Sequence, residues 1–266
     1  MHGKNKYNIV IADPAKNITI FVLDNIERKL YKDIAREILE NTDYNVEQVG
    51  FVKQPIMNGD IRLEMMGGEF CGNASRSIGM LFARENGIQK GNVLVEITGS
   101  DKALNAKVDL KEETSEIDMP IPKRIESIYV EGLGDFPIVI IEGINHIIVE
   151  QLDATQENFD KFKTAVYNNY DVEAFGVMFL DKENKYITPV VYVKNTDTTF
   201  FESSCGSGTL ATVTYLGQDL KDGSKKYSIS QPGGIIESEI VKENGQIKKI
   251  TIGGVVKLSP KTKIEL

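Results

Sequence analysis

The chain carries two cysteines, and the residues around them match. Cys71 stands in EFCGNASRSIG and Cys205 in ESSCGSGTLAT. Each is followed by glycine, then by small and polar residues, then by apolar residues at helical spacing: Ile78, Leu81 and Phe82 in the first segment, Leu210, Val213 and Leu216 in the second. A helix N-terminus exposes unpaired N–H groups and partial positive charge. It lowers a thiol pKa from about 8.5 toward neutrality and offers donors to a carboxylate, while glycine lets a ligand approach the backbone closely. Two such helix starts can supply a thiolate base and a thiol acid. A carboxylate would receive N–H groups from Gly72 and Asn73 on one side and from Gly206 and Ser207 on the other. The carbon bearing it would lie between two sulfurs, one removing the α-proton and the other returning a proton to the opposite face. That is two-base inversion at Cα, without a cofactor, provided the donors stabilise the developing carbanion.

The elements that must position these thiols form an internal repeat. Residues 44–52, YNVEQVGFV, match residues 170–178, YDVEAFGVM, without a gap. A helical pattern precedes each run, over about 26–41 with Leu30, Ile34 and Ile38 on one face, and over about 156–168 with Phe159, Phe162 and Val166 on one face and Thr155 as N-cap. A strand pair precedes each helix: residues 9–24 correspond to residues 138–153, which brings Asn17 near Asn145 and His146. After each cysteine helix comes a strand ending in a glycine turn, and Gly99 and Gly233 keep the spacing of the two cysteines. The polar run 194–201 reads as an insertion in the second copy. The fold expected is therefore α+β: two pseudo-symmetric β-rich lobes, each wrapped around a central helix, with the active site in the cleft between them. The N-terminal lobe spans 1–122, joined by a returning strand near 258–266, and the C-terminal lobe spans 123–257. The break falls at MPIPKR, where both periodicities stop.

Composition limits the alternatives. With 266 residues, a net charge of -8 and 26% charged residues, the chain is an acidic, ordinary globular protein. It is not expected to bind nucleic acid or an anionic membrane. No apolar stretch is long enough for a bilayer, and the N-terminus lacks an apolar signal core. A cytoplasmic location with free thiols is expected. Zinc would need more ligands than two cysteines and two histidines, His2 and His146, supply. No metal and no cofactor are expected. The expected partner is a small-molecule amino acid, and a homodimer is compatible with the chain.

These blocks resemble the diaminopimelate epimerase family of cofactor-independent amino-acid racemases over nearly the whole chain, most specifically in CGNAS and CGSGT. The resemblance implies the two-lobed fold, Cys71 and Cys205 as proton carriers, and Gly72, Asn73, Gly206 and Ser207 at the α-carboxylate. It implies Asn17 and Gln48 as substrate contacts and His146 as the residue tuning the first thiol. Asn145 is displaced from the family's Gly-Asn-Pro-His pattern, since this chain reads Gly143-Ile144-Asn145-His146. Other departures concern the substrate. Ala174 replaces an asparagine that holds the far end of diaminopimelate. Met65-Met66-Gly67-Gly68 shortens the lead into the first cysteine. Tyr192-Val193-Lys194-Asn195 replaces a Tyr-Glu-Arg segment, losing a carboxylate and an arginine suited to bidentate binding. In these places the chain is more similar to the histidine racemases of the same superfamily. The resemblance thus implies a racemase interconverting L- and D-histidine, with diaminopimelate epimerase as the alternative enzyme. An amino-acid-binding or thiol redox-sensing protein is the alternative outside enzymes.

Among the carboxylates, Glu47 and Glu173 are repeat mates, and Glu69 and Glu202 precede the cysteines. Glu47 and Glu202 are the first candidates to tune a thiol. Arg76 is expected at the surface.

Overall fold

The computed structural model describes residues 5–42, 44–194 and 197–266; His2 and Asn195 lie outside them. The chain divides into two units, one of Met1–Ile117 with Gly253–Leu266, the other of Asp118–Ile252.

In the first unit β1 (Lys6–Asp13) turns back antiparallel into β2 (Thr19–Val22). A crossover carrying α1 (Tyr31–Asn41) leads to β3 (Gln48–Lys53), parallel to β2. β3 pairs antiparallel with β4 (Ile61–Met65). A second crossover, α2 (Gly72–Glu85), leads to β5 (Lys90–Ile97), parallel to β4. β6 (Leu104–Asp109) and β7 (Thr114–Asp118) continue as an antiparallel meander.

The second unit repeats this order of pairings after one extra strand. β8 (Arg124–Val130) is antiparallel to β9 (Gly134–Ile140), and β9 to β10 (Asn145–Glu150). α3 (Gln156–Asn169) crosses to β11 (Ala174–Asp181), parallel to β10. β12 (Tyr186–Val193) is antiparallel to β11. β13 (Thr198–Phe201) lies in the run read as an insertion and pairs with β12. α4 (Gly206–Leu216) crosses to β14 (Gly223–Gln231), parallel to β12. β15 (Gly234–Glu243) and β16 (Gln246–Val255) follow, β15 antiparallel to β14. Finally β17 (Lys257–Leu258) and β18 (Thr262–Glu265) pair antiparallel with β1.

Each early helix is held by aromatic packing. In α1 the inward residues are Tyr31, Ile34, Ala35 and Ile38, and the Tyr31 ring stacks on Phe51 at 3.7 Å. Leu30, expected inside, is 42% exposed. A 3₁₀ turn over Arg28–Leu30 precedes the α-helix and changes the phase of the apolar face, so the larger Tyr31 ring takes the core position. Thr155 caps α3, its Oγ1 accepting from the Asn158 N–H at 3.2 Å. Phe159, Phe162 and Val166 are fully buried, and each phenyl so buried stabilises the fold by about 1.5–3 kcal/mol. The cysteine helices differ from these two. α2 and α4 are buried on nearly every side, so their small residues serve close packing rather than an amphipathic stripe. α2 packs on β4, β5 and β6, and α4 on β9, β10, β11 and β15. Among the described residues no helix is long and apolar enough to cross a membrane.

Candidate active site

Both cysteines are helix N-caps with the same backbone. Cys71 has φ −134° and ψ 110°; Cys205 has φ −126° and ψ 115°. The Cys71 Sγ accepts from the Ala74 N–H at 3.4 Å, and the Cys205 Sγ from the Gly208 N–H at 3.3 Å. Each cysteine carbonyl takes a second bond from a hydroxyl four residues on, Ser75 Oγ at 2.7 Å and Thr209 Oγ1 at 2.8 Å. The first-turn amides of Gly72 and Asn73, and of Gly206 and Ser207, precede the helical ladder. This is the donor array expected for a carboxylate. The cap also points each sulfur at the positive end of its own helix.

The strand after each helix pins the residues before the cysteine. In the first unit Thr98 Oγ1 donates to the Glu69 carbonyl at 2.9 Å. In the second, the Gly233 N–H donates to the Ser203 carbonyl at 2.7 Å. Gly99 is required where it stands: its φ is 78°, and a Cβ there would lie 2.7 Å from the Phe70 backbone nitrogen. Gln231, at the end of β14, holds the second cysteine directly. Its Oε1 accepts from the Cys205 N–H at 2.7 Å, and its Nε2 donates to Thr209 Oγ1 at 2.9 Å.

In the first unit four polar side chains form a line from cation to anion. Arg76 Nε donates to Asn73 Oδ1 at 3.1 Å, Asn73 Nδ2 to Asn17 Oδ1 at 3.2 Å, and Asn17 Nδ2 to Glu47 Oε2 at 2.5 Å. Three of the predicted residues, Asn17, Asn73 and Glu47, are thereby joined. Arg76, expected at the surface, is fully buried. A buried guanidinium needs acceptors, and the carbonyls of Gly254 and Val255 supply two, at 3.0 and 3.2 Å. Gln48 heads β3 beside Glu47, and its buried Oε1 has no protein partner.

In the second unit His146 is fully buried, and its contact leads to the second thiol rather than to the first, where the resemblance puts it. Its Nε2 lies 2.9 Å from Ser207 Oγ, which lies 3.5 Å from Cys205 Sγ. Burial pushes the imidazole pKa down to about 3, so the ring is neutral at physiological pH. His146 Nδ1 has no partner and faces the Cα of Gly176, where a Cβ would stand 2.3 Å from it. An unpaired N–H is costlier to bury than an unpaired lone pair. The proton therefore sits on Nε2 and is donated to Ser207, whose hydroxyl is left to donate to the sulfur. Burial, then the charge and hydrogen bond of Glu202, push the Cys205 thiol well above its ordinary value; Ser207 and the Gly208 N–H oppose them. A helix start alone predicts a lowered thiol, but here desolvation and a neighbouring carboxylate outweigh it. Cys205 is thus held as the thiol at rest. Asn145 is buried in β10, next to His146.

Glu69 and Glu173 are exposed. Sequence reasoning did not single out Gln231, Gly176 or the hydroxyl of Ser207. Only the glycine after β14 carried a signal, through its match to Gly99. Among the described residues no cluster of His, Cys, Asp and Glu could hold a metal ion.

A family model described as the histidine racemase CntK N-terminal domain matches residues 6–264. A histidine racemase of Fusobacterium nucleatum subsp. nucleatum is 33% identical over 281 aligned residues, covering 96% of this chain and 99% of that protein. The histidine racemase of another strain of that subspecies is 35% identical, covering 93% and 96%. Among solved structures, a hydroxyproline epimerase from Agrobacterium vitis with bound trans-4-OH-L-proline is similar at a TM-score of 0.69 and 12% identity, covering 100% of this chain and 93% of that one. At that identity the likeness is one of fold, a mixed α/β arrangement of many strands and few helices.

Proposed function

The chain belongs to the histidine racemase family, and we propose that it interconverts L- and D-histidine by exchanging the Cα proton between Cys71 and Cys205. It is an isomerase. We read its two units as copies of one plan, each built around its cysteine helix. The observation that carries the mechanism is the matched pair of cysteine N-caps, each sulfur 3.3–3.4 Å from the amide three residues on.

The substrate carboxylate takes N–H groups from Gly72, Asn73, Gly206 and Ser207. Cys71, as thiolate, removes the α-proton and becomes a thiol. The electron pair left at Cα is stabilised by the donors on the carboxylate, each worth about 10²–10³ in rate at such a site. Cys205, as thiol, delivers its proton to the opposite face and becomes a thiolate. The enzyme then holds the reverse protonation pattern, which accepts the opposite enantiomer. No cofactor enters these steps. Burial and Glu202 hold the Cys205 proton in the resting state, the His146–Ser207 pair orients the sulfur, and Gln48 and Asn17 contact the rest of the substrate. The chemistry needs both thiols reduced, as the cytoplasm would keep them.

The test is incubation in heavy water with L-histidine, LL-diaminopimelate and a panel of other amino acids. Loss of the α-proton is followed by NMR and the enantiomer by chiral chromatography. Deuterium is expected at Cα of histidine, with D-histidine formed without added cofactor. Cys71→Ser and Cys205→Ser should each lower the rate by about 10²–10⁴. Exchange with diaminopimelate alone, or full activity in either variant, refutes the proposal.

A further inference from the structure

Among the described residues Arg76 is the largest fully buried side chain, and no ion pair to it occurs. A buried charge without a counter-charge is strongly unfavourable. Its partners are all neutral: Asn73 Oδ1 and the carbonyls of Gly254 and Val255. Its Nη2 is buried with no partner at all. The residue stands five positions after the N-cap Cys71, on the helix whose first amides form the donor array. At the same spacing after Cys205 the chain has Leu210, also fully buried. The repeat could therefore have placed an apolar residue here and did not.

We propose that Arg76 is a positioning residue for the first half of the site. Its guanidinium is the fixed counter-charge that keeps Cys71 ionised, and its Nε bond to Asn73 sets the line through Asn17 to Glu47. The first part explains how a cation is tolerated in a buried position. Burial lowers the guanidinium pKa and the Cys71 charge raises it, so that with a pKa of about 10 it keeps its charge at neutral pH. The second part explains why one side chain reaches both the helix start and, through two asparagines, a carboxylate on the neighbouring segment. The inference deepens the two-thiol reading and rests on it.

Cys71 reactivity tests this apart from turnover. In a Cys205→Ser background, alkylation by iodoacetamide at pH 7 reports Cys71 alone, because the thiolate is the nucleophile. Arg76→Gln is expected to slow alkylation about tenfold relative to that parent, with its rate recovering as pH rises. Arg76→Lys keeps the charge and loses the fork. Its Cys71 should alkylate within about threefold of the parent, while the single variant, with Cys205 intact, loses kcat for histidine racemisation. Arg76→Lys therefore decides the matter if Arg76→Gln does not fold. An Arg76→Gln protein that keeps the parent alkylation profile, or an Arg76→Lys protein that loses the enhanced reactivity entirely, overturns the inference. A wild-type protein that exchanges no α-proton, yet shows the Arg76 dependence, defeats the racemase reading and leaves the Arg76 contact standing.

Discussion

Replacing Gly176 by alanine should disable the second thiol without touching it. Gly176 lies in β11, and a Cβ there would stand 2.3 Å from His146 Nδ1, 2.8 Å from its Cε1 and 2.9 Å from Met178 Cε. Ordinary contacts begin near 3.4 Å, so the ring must move by about 1 Å. The imidazole is fully buried, and on its far side Ser207 Oγ holds Nε2 at 2.9 Å. The ring cannot retreat without compressing or turning out of that bond. Overpacking of this kind costs about 1–3 kcal/mol, a fall in melting temperature of about 2–4 °C per kcal/mol for a chain of this size. The effect on turnover should be larger. Ser207 reaches Cys205 at 3.5 Å, so displacing the histidine frees the hydroxyl that orients the sulfur. A misplacement of about 1 Å can cost about 10²-fold in rate.

A double-mutant cycle isolates the cause. His146→Ala alone opens a cavity costing about 2–5 kcal/mol. In the double variant the new methyl group enters vacated space, so the two losses should fall short of their sum by about 1–2 kcal/mol. Urea melts give the energies, and α-proton exchange in heavy water gives kcat. Additivity within about 0.5 kcal/mol, or near-parental kcat in Gly176→Ala, would refute the wedge between Gly176, His146 and Ser207.

Three further outcomes follow from the same geometry. Burial lowers the His146 pKa from its ordinary value of about 6.5 to about 3. Between those values the unfolded state binds more protons, so stability is full above about pH 6.5 and declines as pH falls toward 3, by up to about 1.4 kcal/mol per unit; denaturant melts of His146→Leu should show a shallower acid slope than the parent. Gln231→Leu leaves the Cys205 N–H without its acceptor, which should cost about 1–3 kcal/mol and lower kcat more than it raises KM, read by thermal melts and steady-state racemisation. Gly99→Ala must adopt φ near 78° and displace the Phe70 backbone, so melting temperature and Cys71 alkylation should both fall, whereas an unperturbed alkylation rate would mean that this turn does not position Cys71.

Much of this organisation was legible because duplication writes each element twice. The strand pairs, the helices that follow them and both cysteine helices are visible in the matched runs, though not the direction of the strands. Their pairing pattern recurs in the two units, down to parallel β2 with β3 and β10 with β11. What was not legible has common physical causes. The start of α1 depended on a 3₁₀ turn that swapped Leu30 for Tyr31, a local phase change that helical spacing does not report. Gln231 acts from a strand 26 residues beyond its cysteine, so no local motif contains it. Arg76 looked like a surface residue because charge seldom goes inside, and only the closure of Gly254 and Val255 over the helix supplies its carbonyl acceptors.

The deeper limit concerns symmetry. The repeat makes the two sulfurs equivalent: both cap a helix, both accept from the amide three residues on, and both carbonyls are bonded by a hydroxyl on the next turn. A two-base exchange cannot run from that equivalence, because two thiolates have no proton to give and two thiols cannot take one. The difference must come from side chains that break the repeat. Burial raises the Cys205 thiol most, and Glu202 adds negative charge and a hydrogen bond there; the equivalent place before Cys71 is Gly68. Arg76 supplies positive charge beside Cys71, and its equivalent is Leu210. Exchanging the pattern tests the idea as a whole. Arg76→Leu combined with Glu202→Gln should bring the alkylation rates of Cys71 and Cys205 at pH 7 closer together than either single change does, while both helix caps persist. If the two rates stay as far apart as in the parent, the asymmetry has another source, and neither charge sets which thiol begins as the base.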